Sequence, residues 1–125
     1  MITFPLKKKW FEKIKSGEKT IEYRKVKPYW IKRLSTQFNT PVIEKLLNKE
    51  VPYLTFTYFF PCKLRLGYTD KYLYAKISKI EIINGKNTDL NIDKPVFAIH
   101  LQYVSEFYTE VLLKTNTNDR TRRKN

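Results

Sequence analysis

Between Gly17 and Arg24 the chain places a lysine, a carboxylate and an arginine within eight residues, Gly17-Glu18-Lys19-Thr20-Ile21-Glu22-Tyr23-Arg24. Arg24 offers a planar fork that fits a phosphate or a base edge, and Lys19 a compact point charge. Glu22 offers an acceptor for an exocyclic amine, or a partner that holds Arg24 in place. The plain structural alternative is an ion pair on a solvent face, worth about 0–1 kcal/mol. Ile21 and Tyr23 alternate with Thr20, Glu22 and Arg24, the period of a strand with one buried face. This pattern sends Ile21 and Tyr23 to the core and puts Glu22 and Arg24 together on the opposite face. Lys19 has the wrong parity for that face. It joins the pair only if the strand begins after it, with Lys19 still in the turn that Gly17 makes.

Other chemistry-bearing residues are few. Nine Tyr, eight Phe and two Trp supply stacking surfaces, most of them needed for a core. Tyr29 and Tyr68 lie beside turn-formers and near charges, which makes them the candidates for exposed stacking. His100 has the parity opposite to Phe97, Ile99 and Leu101; a histidine there is either solvated or a general base. Cys62, the one cysteine, has no histidine near it in sequence, which is a weak setting for a nucleophile. With one His and one Cys the chain lacks the ligands of a structural zinc site, so no metal and no cofactor are expected.

The elements that must position these residues follow from periodicity. Thr3 to Leu6 reads as a short strand. Leu6, Trp10 and Ile14 recur every fourth residue with Phe11 beside them, an amphipathic helix whose other faces carry Lys7, Lys8, Lys9, Lys13 and Lys15. Gly17 suits its left-handed cap. Pro28 starts a short helix with Trp30, Ile31 and Leu34 inward and Lys32 and Arg33 outward. Thr40-Pro41 starts another, with the Thr40 hydroxyl as cap. Tyr53 to Phe60 is apolar on both faces and reads as a central strand. Lys63 to Tyr68 and the long Tyr72 to Ile83 read as further strands, and Asn84-Gly85 as a turn. Val96 to Val104 is the last strand, with Phe97, Ile99, Leu101 and Tyr103 on one face, and Glu106 to Leu113 a final short helix. Helices early and strands late predict an α+β fold. A small, partly open β-barrel with helices packed over one end satisfies every segment.

Composition bounds the rest. The chain has 125 residues and 42% apolar content, enough for one core. The domain is expected over residues 1–113, with a basic, disordered tail at 114–125. The net charge of +13 is unevenly spread: residues 1–34 carry eleven Lys/Arg against three acids, and residues 114–125 five against one. That asymmetry points to a polyanion such as RNA. No run approaches the roughly 18 apolar residues of a membrane span, and the first residues lack the basic start of a signal peptide. The single cysteine fits a cytoplasmic protein.

The spacing Gly-x-Lys-x-x-Glu-x-Arg, carried here by Gly17, Lys19, Glu22 and Arg24, resembles the signature of the ASCH domain family, a branch of the PUA-like superfamily. Phe4-Pro5-Leu6 before a Trp/Phe-bearing helix resembles the family's opening, Gly67-Tyr68 a recurrent glycine-aromatic pair, and Phe97-Ala98-Ile99-His100-Leu101 its closing strand. Gln102 stands where a glycine is common. The likeness spans roughly residues 2–104. It implies a PUA-like, partly open barrel that binds RNA or a nucleotide in the cleft between the first helix and the barrel, through Lys19, Glu22, Arg24, Tyr29 and Tyr68. It also implies an alternative. Some relatives are amidohydrolases acting on N4-acylated cytidine-type nucleosides, and others are described as ribonucleases. In the hydrolase reading Lys19, the adjacent hydroxyl of Thr20 and Glu22 would be catalytic. The acidic helical insertion of those enzymes is replaced here by Asn84 to Pro95, with Asp89 and Asp93, so their catalytic carboxylate is not carried over; Glu81 is a possible substitute.

Overall fold

A computed structural model describes residues 1–56 and 58–115. The elements run β1 (Ile2–Leu6), α1 (Lys8–Ser16), β2 (Ile21–Lys25), α2 (Pro28–Phe38), α3 (Thr40–Leu47), β3 (Tyr53–Thr55), β4 (Pro61–Leu66), β5 (Tyr72–Asn84), a 3-10 turn (Gly85–Asn87) and β6 (Pro95–Ser105). Residues 108–115 form a last helix, α4. The fold is α+β: one mixed sheet curls into a half-barrel, and the helices pack against it. The strand order is β1-β4-β5-β6-β2, and β3 pairs with β5 beside β4. Among the described strands only β1 and β4 pair in parallel.

The long strand β5 makes the curl. Its first half pairs with β4 and its second half with β3, while β6 follows its other edge. Two register shifts against β6, between Tyr74 and Lys76 and between Ile77 and Lys79, mark β-bulges. Bulges bend a strand and sharpen its twist. At one of them Tyr103 takes φ +58°, left-handed backbone that costs a bulky residue strain. The alternation expected along β6 therefore ends at Leu101 and does not carry through Tyr103.

The core lies between the concave sheet and the helices. Phe4, Leu64, Leu73, Ile77, Ile80, Phe97 and Ile99 from the strands meet Ile14 of α1, Leu34 of α2 and Ile43 of α3, all essentially unexposed. Trp30 stacks on Phe4 at 5.5 Å. Lys15 of α1 pairs with Glu106 at 2.9 Å, and Tyr108 of α4 packs edge-on against Tyr74 of β5. None of the described helices is long and apolar enough to cross a membrane.

Three expectations are corrected. The aromatic run after Pro52 is not a central strand. Among its described residues only Tyr53–Thr55 form a strand, paired at one side of β5, and Tyr53 is half exposed. Phe56 and Phe60 instead turn down onto Phe38 of α2, with centroids at 4.5 and 4.7 Å, so packing against a helix overrides strand propensity. The next strand, β4, opens at Pro61, ahead of the expected start at Lys63, and ends at Leu66. The cap of α3 is Asn39, whose side chain accepts from the Val42 amide at 3.3 Å; Thr40 is already inside the helix.

At the C-terminal end α4 runs through Lys114 and Thr115, past the expected boundary at residue 113; the Thr115 hydroxyl donates to the Val111 carbonyl at 3.0 Å. The other tail cations, Arg120, Arg122, Arg123 and Lys124, lie outside the described residues.

Candidate functional site

The site is built at the junction of α1 and β2. α1 ends at Gly17 with φ +85°, the left-handed conformation in which glycine has no Cβ penalty. The Lys19 amide then donates to the Lys13 carbonyl at 3.0 Å and turns the chain back along the helix. β2 begins at Ile21, so Lys19 sits in the turn and its side chain escapes strand parity, as the sequence required of it. Its Nζ lies 3.4 Å from Glu22 Oε1.

Burial on β2 is the reverse of the expected pattern. Glu22 is 5% exposed, while Ile21 and Tyr23 are only half-buried. Register explains it. Glu22 stands opposite Ile99 and Arg24 opposite Phe97, the core-facing residues of β6; Ile21 stands opposite His100 and Tyr23 opposite Ala98. Once β6 is fixed by its own apolar face, the parity of β2 follows. The inward carboxylate is stable there because it is paired. Arg24 donates to Glu22 Oε2 from Nε at 3.0 Å and from Nη2 at 2.5 Å, and Nη2 also donates to the Pro5 carbonyl at 2.7 Å. The guanidinium lies over the Trp30 ring at 4.8 Å. Nη1 has no partner among the described residues.

A fourth member comes from far along the chain. Asp89, between the 3-10 turn and β6, pairs with Lys19 Nζ, which also donates to the Ile21 carbonyl. Gly85 lets this loop close: a Cβ there would stand 2.7 Å from Val96 Cγ1 and 2.9 Å from the Ile92 carbonyl. Asp89, Lys19, Glu22 and Arg24 thus form a chain of alternating charge that sums to zero. These four side chains therefore add no net charge to the site.

Unbalanced positive charge stands at the rim. A cleft of about 400 Å³ opens between α1, β1, β2 and the start of α2. Glu22, Arg24 and Asp89 line it together with the rings of Trp10 and Trp30, and Lys7, Lys25 and Lys27 surround it. None of these three lysines has an acidic partner among the described residues. Lys9 and Lys13 flank the Trp10 ring at 4.7 and 5.4 Å. Tyr23 also lines the cleft. Burial, with the charges of Asp89 and Glu81, pushes its phenol above the ordinary value, so it stays a neutral donor and acceptor.

The remaining sequence candidates are dispersed. Thr20 is exposed and contributes its carbonyl, which accepts from the Leu101 amide at 2.9 Å, rather than its hydroxyl. Tyr29 is exposed and packs edge-on against Trp30 at 4.9 Å, but it lines a different groove. Tyr68 is exposed on the β4–β5 turn and is not among the cleft residues; the Gly67 amide beside it donates to the Leu6 carbonyl at 2.7 Å. His100 donates from Nε2 to Glu81 at 2.7 Å on the outer face of the sheet, and Lys79 joins at 3.2 Å. Burial pushes the Glu81 carboxyl up, but the His100 and Lys79 hydrogen bonds and charges outweigh it and hold the carboxyl below its usual value. Cys62 is fully buried. Burial, and then the nearby Glu22 charge, push its thiol up and keep it un-ionised.

Sequence reasoning missed Asp89 as a partner of Lys19, 70 residues away, and read Trp10 and Trp30 as core only. Nothing local marks Asp89. The signal for Trp10 was present, since the lysines at positions 7, 9 and 13 surround it on the helix.

No protein-family model, no curated protein and no solved structure matches this chain.

Proposed function

We propose that the protein is an ASCH-type domain that binds RNA or a nucleotide in the cleft between α1, β2 and α2. The carrying observation is the combination of an acceptor (Glu22), a donor with a free Nη1 (Arg24), an aromatic wall and three lysines without acidic partners around one opening. A nucleotide needs those parts: cations for phosphate, rings for the base face, and a fixed donor and acceptor for the base edge. The motif Gly17, Lys19, Glu22 and Arg24 supports the family reading, and the half-barrel with α1 packed against its sheet agrees with it.

The test is a titration of single-stranded RNA at several salt concentrations. Affinity is expected to fall with salt at a log-log slope of roughly −0.7 per phosphate contacted. Replacing Lys7, Lys25 and Lys27 with Ala should flatten that slope. No binding at low salt, or a flat response in the parent, overturns the reading.

One observation supports a second reading, hydrolysis of an N4-acylated cytidine. Asp89 beside Lys19 supplies a carboxylate that the sequence could not assign. Against it, three oxygens already surround Lys19 Nζ, from Ile21, Glu22 and Asp89, and leave it little freedom as a nucleophile. Incubating the protein with several N4-acylcytidines and following cytidine release decides; no turnover eliminates hydrolysis.

A further inference from the structure

We propose that a groove along α2 is a second nucleotide subsite, so that the preferred ligand of this protein is a single-stranded segment and not a lone nucleoside; the inference rests on the cleft reading above. The groove has a volume of about 430 Å³ and is lined by Ile2, Tyr29, Lys32, Arg33 and Gln37 among others. Arg33 carries the argument. It makes no hydrogen bond or ion pair with the described residues, and its Nε is shielded from solvent without an acceptor. A buried donor left unpaired is costly, and native proteins rarely keep one without a reason. Arg24, the arginine of the motif, is the opposite case, with Nε and Nη2 already bound to Glu22 and Pro5.

The aromatic half of the subsite is Tyr29. The residue is 55% exposed, and the Arg33 guanidinium lies 5.5 Å from its ring centroid. An open ring beside an unpaired guanidinium, with Lys32 next to it, is the pair of features that a nucleotide requires: a face for the base and a fork for the phosphate. Trp30 is the ring that the two arginines share. It lines the main cleft, holds Arg24 at 4.8 Å, and holds Arg33 at 5.9 Å. The two guanidiniums thus stand against one ring, and a strand with one base in the cleft has the groove as its neighbour.

The test compares a nucleoside monophosphate, a dinucleotide and a tetranucleotide at fixed salt. The parent is expected to gain about tenfold in affinity from monophosphate to tetranucleotide, the size of one stacked and one ion-paired contact. Tyr29→Ala and Arg33→Gln should each remove most of that gain; Tyr29→Phe should keep it. Tyr29 is exposed, so its variants stay informative where Arg33→Gln weakens the fold. Equal gains in parent and variants overturn the proposal, as does a parent that binds the monophosphate but gains nothing from length. A parent that binds no nucleotide of any length overturns the cleft reading, and the subsite with it. Arg33→Gln losing affinity for polyglutamate, with its RNA length gain unaltered, assigns the groove to an acidic peptide and also overturns the proposal.

Discussion

Arg24 donates from Nη2 to the Pro5 carbonyl at 2.7 Å and so joins β2 to β1, strands that stand at opposite ends of the sheet order. The two edges share no backbone ladder. A single guanidinium spans the opening of the half-barrel, anchored on one side by Glu22 and on the other by a carbonyl of an edge strand. Proline suits that edge, because it has no N–H to leave unpaired there. The signature arginine is thus part of the architecture as well as a candidate ligand contact.

Arg24→Ala is accordingly expected to cost stability. It leaves the Glu22 carboxylate buried with one cation fewer and removes the link to Pro5. Breaking a buried pair from one side costs about 3 kcal/mol. Arg24→Lys keeps the charge but cannot reproduce the fork, and should recover only part of the loss. Urea unfolding of the three proteins measures this. A midpoint for Arg24→Ala equal to the parent's would mean the pair is solvated and the strut unimportant.

Lys19 and Asp89 should show strong coupling. Each single change, Lys19→Met or Asp89→Asn, leaves the other partner in a mostly buried position, while the double change leaves neither. A double-mutant cycle is expected to give about 1–3 kcal/mol of interaction. Hydrogen exchange at residues 85–94 should quicken in either single variant. Additive effects would show that the loop is held by Gly85 and its backbone bonds alone.

The acid limb of stability should report Glu81. Its folded-state value is lowered, through His100 and Lys79, against the opposing effect of burial. A lowered carboxyl contributes stability that is fully present above its unfolded value, about 4.3, and lost as pH falls through the lower folded value. Glu81→Gln should therefore flatten the stability profile between about pH 5 and 2 and alter it little above that. His100→Asn should move the Glu81 titration, followed by NMR, back upward. An unchanged Glu81 titration in that variant would show that Lys79 alone sets it.

Cys62 should label only through unfolding. A fully buried thiol kept neutral offers no thiolate to an alkylating reagent. Reaction in native buffer should run at least about 10³-fold slower than in denaturant, and accelerate in step with destabilisation by Arg24→Ala. Fast labelling in the native state would place the thiol in an open, low-stability segment.

The outline of the fold was legible where local rules dominate. Gly17 announced the end of α1, the apolar run around Ile77 and Ile80 announced a long strand, and Phe97, Ile99 and Leu101 announced the inner face of β6. The condition placed on Lys19, that it belong to the turn, was also met. What sequence could not give is the face of β2. Two apolar residues alternate with two charged ones there, and only the ladder to β6 decides which pair turns inward. The run from Tyr53 to Phe60 failed for a related reason: Phe38, the residue that captures Phe56 and Phe60, lies on another element. In the candidate site, Lys19, Glu22 and Arg24 were found together because they are close in sequence. Asp89 was not, because its partner is a product of the fold. Arg33 was placed on the outside of α2 and Tyr29 among the residues of the main cleft, without any sign that the two share a groove.

The order of the strands has a consequence for how fast the molecule can form. β1 and β2 flank α1 in the chain, yet β1 must wait for β4 and β2 for β6, whose pairing residues lie even further along the chain than Asp89 does from Lys19. Contacts of such long sequence separation carry the entropy of closing a large loop before they return any favourable energy, and chains rich in them fold slowly. Until β6 docks, Glu22 and Arg24 have only hydrogen-bond and ion-pair partners from the first 24 residues, and no ladder fixes which face of β2 turns inward. The cleft is therefore among the last features to appear, and a chain arrested before β6 would carry the full signature and have no site.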